Sequence, residues 1–521
     1  MGMIRTSVAA WAALGGLVMA VLAGGAGAAE KAECFRITVF DEQTGQGVPL
    51  VELETVNNIR HWTDSNGIVA FDEPGLMDQE VYFHIRSHGY EYPKDGFGYA
   101  GKAVKVTNGG EVRIALKRVN IAERLYRITG QGIYADTVRL GLPTPIRNPV
   151  LNGQVVGQDS VQVVIYGGKL YWFWGDTNRV GYPLGQFAMS GATSLLPGKG
   201  GLDPAVGVDL TYFVDEKGFS RKMAPMKAEG LVWLDGYVVV PGEDGQERLF
   251  AHYARLRDLG KMLEHGLMLF NDQTQTFEKH KEFDMAQQWR CPRGHPVRVK
   301  ENGREYFYFP TPYPTVRVKA EAKSIADPAS YEAFTCLVPG SKYDKGKAQV
   351  ERTADGKLAY GWKADTDPTA QKEERELIAA GKMKAEEARF QLRDVDGGKD
   401  VEMHGGSVYW NEYRKRWIMI GVQAFGSTSF LGEVWFAEAE SPTGPWVWAR
   451  KIVTHDKYTF YNPKHHPFFD QEAGRVIYFE GTYCNTFSGN PAQTPRYDYN
   501  QVMYRLDLGD KRLGLPLKRE R

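Results

Sequence analysis

The chain has 521 residues, and its 64 lysines and arginines are balanced by 64 aspartates and glutamates. With no net charge, it has no global field to recruit nucleic acid or an acidic membrane. Aromatics make up 12% of the residues, beside 58 glycines and 26 prolines. That mixture suits short strands joined by tight turns and excludes a helical bundle or a disordered chain.

The N-terminus has the pattern of a secretory signal. Arg5 supplies the positive end, residues 8–22 an apolar run and Ala26-Gly27-Ala28 a small-residue cleavage pattern. A signal peptide over 1–29 is expected, giving a secreted or periplasmic protein with no stable membrane insertion after cleavage. The alternative is an uncleaved anchor, disfavoured by the weakly apolar Gly/Ala-rich second half. Cys34, Cys291, Cys336 and Cys484 remain after cleavage. Export permits disulfides among them, and their wide spacing excludes a zinc ribbon.

Residues 31–119 form a unit of their own. "FRITVFDEQTGQGVPLVELETV" is an alternating strand, a TG turn and a second alternating strand; "HWTDSNGIVAF" and "GGEVRIALKRV" repeat the grammar. This segment resembles the carboxypeptidase-regulatory or transthyretin-like β-sandwich, and the resemblance implies a spacer or docking module. It contains no catalytic constellation and is expected to be dispensable for chemistry.

Residues 124–508 carry a spaced repeat of hairpins. Turns are expected at Gly167-Gly168, Asp235-Gly236 and Asn302-Gly303, near Tyr413 and near Ala473. The first three dipeptides supply the positive φ that two-residue hairpin loops require. Five hairpins predict a five-bladed β-propeller, so the fold class is all-β, a sandwich followed by a propeller. "GQFAMSGATSLL" and "GEVWFAEAESPTGPWVW" supply outer strands. The longest interval contains 366–395, charged and helix-favouring, expected to be a helical insertion between blades three and four.

The first hairpin carries the most chemical information. With Gly167 and Gly168 in its loop, Tyr166 faces Lys169, Val163 faces Trp172, Val161 faces Trp174 and Asp159 faces Asp176. Directly opposed carboxylates destabilise a sheet unless a proton, cation or hydrogen-bond network compensates. A pair with split pKa values is what glycosidic-bond cleavage uses. The plainer alternative is that Asp176 caps the "GDTN" turn while Asp159 faces solvent.

"GQDSVQVVIYGGKLYWFWGDT" resembles the first blade of five-bladed-propeller glycosidases, most closely the DUF4185-type family, in which an Asp opens the innermost strand and F-G-D-T closes the next. "WFAEAESPTGPW" resembles the outer strands of arabinanase- and xylosidase-like propellers. The resemblance implies that Asp159 and Asp176 are catalytic or sugar-binding carboxylates and points to arabinan-type polysaccharides. The separate acid Glu of arabinanase-like enzymes has no clear counterpart, and Glu229 and Glu402 are the candidates for it.

His295, His404 and His466 are expected at the starts of innermost strands, converging at one propeller mouth, with His465 beside His466. They suit bonding of sugar hydroxyls, acid catalysis, or a divalent metal completed by Asp159, Asp176 or Glu402. No metal-binding spacing supports the last directly. Arg147, Arg179, Arg293, Lys464, Trp174, Tyr313, Phe430 and Tyr483 are candidate subsite formers. Glu480 in "YFEGTY" is a further candidate carboxylate at the mouth. The reading is an exported glycoside hydrolase needing no cofactor, with Asp159 as base or nucleophile and Asp176 as its partner. The rivals are a non-catalytic carbohydrate-binding propeller and a histidine-metal lyase or oxygenase.

Overall fold

A computed structural model describes residues 34–186, 189–258 and 260–516. The expected signal peptide at 1–29 lies outside them. The described residues are all-β with few helices, the longest among them being the nine-residue Gln371–Ala379. No helix among the described residues is long and apolar enough to cross a membrane.

Residues 35–118 build two four-stranded sheets. In Phe35–Asp41, buried and half-buried residues alternate strictly, as the sequence FRITVFD dictates for a strand with one face inward. This strand lies between Ile68–Phe71, antiparallel, and Glu111–Arg118, parallel. Phe35, Ile37, Val39, Leu53, Phe83 and Ile114 meet in the core between the two sheets.

Five larger sheets follow. The first comprises Val161–Tyr166, Lys169–Trp174, Ser190–Ser194 and Thr211–Tyr212. The second runs from Leu231–Pro241 to Thr276–Glu282, and the third from Val297–Glu301 to Gly361–Lys363. In the fourth, Met403–Asn411 pairs with Arg416–Gln423, and Arg393–Asp394 joins the far edge in parallel. The fifth comprises Thr459–His465, Val476–Cys484 and Asn500–Asp507, and is completed by Glu123–Arg127 from the opposite end of the region.

Each sheet shares an apolar core with the next. Phe173 of the first stacks on Tyr237 of the second, ring centroids 4.8 Å apart. Val238 and Phe250 meet Phe307 and Val318 between the second and third, and Phe334 meets Val408 and Trp435 between the third and fourth. Ile420 and Phe436 meet Phe460 and Phe479 between the fourth and fifth. The fifth packs in turn on the first through Tyr126, Tyr478 and Met503 against Val163, Trp172 and Trp174.

Two expectations are corrected. Asp235-Gly236 is no hairpin turn: Leu231–Pro241 runs straight through it, with a register shift between Asp235 and Val238. The turn comes at a second Asp-Gly pair, where Gly245 takes φ 77° and Gly242 N donates to Gln246 O at 2.7 Å. The shift turns the Asp235 carboxylate inward, where it accepts from Gly236 N, Gly294 N and Gln162 Nε2, each at 2.8 Å. In the 366–395 segment only Gln371–Ala379 is α-helical; Gly381 at φ 67° ends the run. Buried Glu374 pins that helix by accepting from Tyr360 Oη and from the backbone N–H groups of Arg389 and Phe390. All four cysteines are free.

Candidate functional site

The ladder from the Gly167-Gly168 turn matches the expected register from Tyr166↔Lys169 to Val161↔Trp174. Beyond it the register departs from direct opposition. Asp159 N donates to Asp176 O at 3.0 Å, whereas Asp159 O accepts from Gly175 N at 3.3 Å. Two residues thus oppose one, as in a β-bulge, a device that re-aims side chains. A Cβ at Gly175 would lie 3.1 Å from Asp159 Cβ, so a larger residue there would displace the carboxylate.

The two acids have unequal surroundings. Asp159 Oδ1 accepts from Ser160 N (2.6 Å), Ser160 Oγ (2.7 Å) and Tyr461 Oη (2.5 Å). Asn462 Nδ2 donates to Ser160 Oγ at 2.6 Å, bracing that hydroxyl from the fifth sheet. Half-buried Tyr499 stands beside the pair, and burial first, then the charges of Asp159 and Asp176, push its pKa up. Asp176 Oδ1 accepts from Trp233 Nε1 at 3.2 Å. Its pKa is raised to about 6, first by burial and then by the Asp159 charge, with the Trp233 bond opposing. One carboxylate is crowded with donors, and the other holds its proton close to neutral pH.

Beneath this pair the inner strands meet in a buried polar network. Gln162 Oε1 contacts His295 Nδ1 at 3.0 Å, and Lys464 Nζ donates to Tyr409 Oη at 2.9 Å. Lys464 lies opposite Glu480 in the ladder, and Glu480 Oε1 is 2.6 Å from His466 Nε2. Burial drives all three toward neutrality: Lys464 is lowered to about 7, Glu480 is raised well above its usual range and His466 falls well below. A lysine lowered in the fold costs stability once the unfolded chain is protonated. That cost appears as pH falls below the ordinary value of 10.5 and is complete below about 7. Lys464→Met is therefore expected to raise the melting temperature, by more at pH 6 than at pH 10. An equal change at both pH values would contradict it.

The expected histidines are not all exposed at strand starts, although His466 interacts electrostatically with His295 and His465. His295 is buried against Gln162 and His404 is exposed on Met403–Asn411. His466 is fully buried just past the end of Thr459–His465, not at a strand start. The inner strand is "TFYNPKH", one segment earlier than the sequence pattern suggested. His465 Nε2 lies 2.7 Å from Asp470 Oδ1. Among the described residues, no group of three or more His, Cys, Asp or Glu is arranged to hold a metal ion.

Other candidates scatter. Trp174, Tyr313 and Tyr483 are core residues: Trp174 stacks on Trp172, Tyr313 packs on Phe390 and Tyr483 on Tyr458. Arg147 is tied to Asp209 and Thr211 at the outer edge of the first sheet. Arg179 lies over the Phe219 ring, and exposed Arg293 acts electrostatically on Asp235. Glu402 pairs with Arg375 at 2.9 Å, and Glu229 is exposed, its carbonyl accepting from Arg255. Phe430 is partly exposed and packs edge-on against Phe425, in the connection after Arg416–Gln423. Trp233, Tyr461 and Tyr499, which touch the acids, were missed. Trp233 alternates with buried residues along its strand, the one signal that it faces another surface.

No family model matches this sequence, and no curated protein matches it. Solved structures with a similar arrangement are family 43 glycoside hydrolases at low identity. A GH43_1 enzyme from Xanthomonas citri complexed with xylotriose is 10% identical, with TM-score 0.33, covering 68% of this chain and 88% of that one. A family 43 protein from Bacillus licheniformis is 11% identical, with TM-score 0.32, covering 67% and 71%. An exo-β-1,3-galactanase from Phanerochaete chrysosporium, solved with galactose, is 9% identical, with TM-score 0.34, covering 74% and 65%.

Proposed function

We propose that the chain is an exported glycoside hydrolase acting on a polysaccharide or oligosaccharide. In this reading the five larger sheets are the blades of a five-bladed β-propeller of the DUF4185 or arabinanase kind, and residues 31–119 are a β-sandwich module beside it. The packing of the fifth sheet on the first supports a closed ring. The observation that carries the function is the Asp159–Asp176 pair, two adjacent carboxylates in opposite environments.

Glycoside hydrolysis needs one carboxyl group to protonate the leaving oxygen and one carboxylate to attack the anomeric carbon or activate a water. Asp176, its pKa raised to about 6, is assigned the proton. Asp159 is assigned the base or nucleophile, oriented by Ser160, Tyr461 and Tyr499. Half-buried Glu402 and exposed Glu229, close in sequence to inner strands, are the reserve acids.

Release of reducing ends from a polysaccharide panel tests the activity, and Trp233→Phe tests the assignment. The indole N–H favours ionised Asp176, so its loss raises that pKa further. An acid catalyst fails as pH rises through its pKa, so the alkaline fall in kcat/KM should move up by roughly half a unit to one unit. An unmoved or lowered limb would remove Asp176 from the proton-donating role.

A further inference from the structure

A concavity of about 280 Å³ is lined by none of the residues that bond the two acids. Its walls come from three parts of the chain: Arg60–Trp62 and Ile68–Phe71, the short helix Ala135–Arg139, and residues 495–497. Its size is close to the lower end of small-molecule sites, about 300–1,000 Å³. That is room for a ligand of one or two rings.

The cavity is lined by both signs of charge, Arg60, Arg139 and Arg496 beside Asp64, Asp72, Glu73 and Asp136. Arg139 pairs with Asp72, Arg496 Nη1 lies 3.3 Å from Asp136 Oδ2, and His61 Nε2 lies 3.6 Å from Glu73 Oε1. An anion entering would meet carboxylates and a cation would meet guanidinium groups, so net charge is not what the cavity selects. What it offers is a dense alternation of donors and acceptors. Each guanidinium has five N–H groups and each carboxylate about four lone-pair sites, so one ion-pair contact leaves most of them unused. His61 Nε2 is buried and without a hydrogen-bond partner among the described residues, and burial lowers the ring's pKa. Half-buried Trp62 adds a flat apolar wall, its inner side packed on the core that includes Phe460.

A ligand that is neutral, rich in paired hydroxyls and apolar on one face satisfies all three features. Vicinal hydroxyls donate to a carboxylate and accept from the adjacent guanidinium, while the C–H face of the ring lies on the indole. We infer that this cavity is a second, non-catalytic saccharide-binding site, formed jointly by the N-terminal sheets and the segment before the last strand of the fifth sheet. Its place is set by buried contacts across that junction. Tyr497 Oη donates to Thr63 O at 2.6 Å and accepts from Leu50 N at 3.2 Å. Binding here does not depend on cleavage at Asp159 and Asp176.

The full chain is to be titrated with D-galactose, D-xylose, L-arabinose and xylotriose, followed by saturation-transfer NMR and tryptophan fluorescence. At least one probe should bind, and the signal should survive Trp233→Ala, which disables the other site. Trp62→Ala and Arg496→Ala should each weaken binding about tenfold or more. Arg496 is exposed at the rim, so its variant reports even if Trp62→Ala disturbs packing. Neither should change turnover of a short soluble substrate. Binding by none of the probes, loss of signal in Trp233→Ala alone, or undiminished binding in Arg496→Ala would each overturn the inference and show that the cavity only holds water between ion pairs. The hydrolase reading fails separately, through turnover retained without Asp159 and Asp176.

Discussion

Asp159→Asn and Asp176→Asn are each expected to lower turnover of a confirmed polysaccharide substrate by about a thousandfold or more. Their effects on stability should differ with pH in a way that a structural cap would not produce. The Asp176 pKa is raised from 3.8 to about 6, because burial and the Asp159 charge disfavour its ionised form. The stability this proton supplies is fully present below pH 3.8 and is lost as pH rises through 6. Asp176→Asn removes the ionisation, so the variant should match the wild type near pH 3. Above pH 7 it should exceed it by up to about 3 kcal/mol. Asp159→Asn should lower the Asp176 pKa by removing a like charge, a shift readable by carboxyl-carbon NMR. A capping aspartate would instead lose about 1 kcal/mol at neutral pH with activity intact. Near-normal turnover in both variants, on a substrate the parent protein cleaves, would end the carboxylate-pair reading.

The parts of this site that were legible in the sequence are those fixed by local geometry. Gly167 and Gly168, at φ 55° and 73°, can only be a tight turn, and the ladder counted from them holds for six residue pairs. The count fails at Gly175, because a bulge depends on what presses on the strand and not on periodicity. The same limit explains Asp235-Gly236. Two Asp-Gly pairs lie within eleven residues, and only the second closes the hairpin, since the first is held straight by Val238 and Val240 packing on the neighbouring sheet. Tyr461 and Trp233 reach the acids from other sheets and Tyr499 from the turn before Asn500–Asp507, and no short-range pattern announces such a meeting. The histidines misled for the opposite reason: His295, His465 and His466 are buried polar residues that meet Gln162, Asp470 and Glu480, and they look like an exposed ring only when strand ends are misplaced by one segment.

A chain beginning at residue 121 is expected to fold poorly, although residues 31–119 contribute nothing to the proposed chemistry. The strand Glu123–Arg127 completes the fifth sheet, and Arg124 within it is buried at 1% exposure. Its guanidinium donates to Pro49 O (3.1 Å), His88 O (3.0 Å) and Ser87 Oγ (2.5 Å), all contributed by the N-terminal sheets. Truncation removes all three acceptors at once and uncovers the apolar surface on which Leu50 and Trp62 pack. Breaking one side of a buried charged network typically costs about 3–5 kcal/mol. For a protein of this size that corresponds to a fall in melting temperature of about 4–6 °C, before the uncovered surface is counted. Arg124→Met should restore part of the loss in the truncated chain, where the charge has no partner. In the intact chain it should destabilise, because it strands the same three acceptors. Opposite signs for one substitution in two backgrounds, read by urea denaturation, separate this interlock from a simple loss of buried area. A truncated chain with the midpoint of the full-length protein would show that the N-terminal sheets are a passenger.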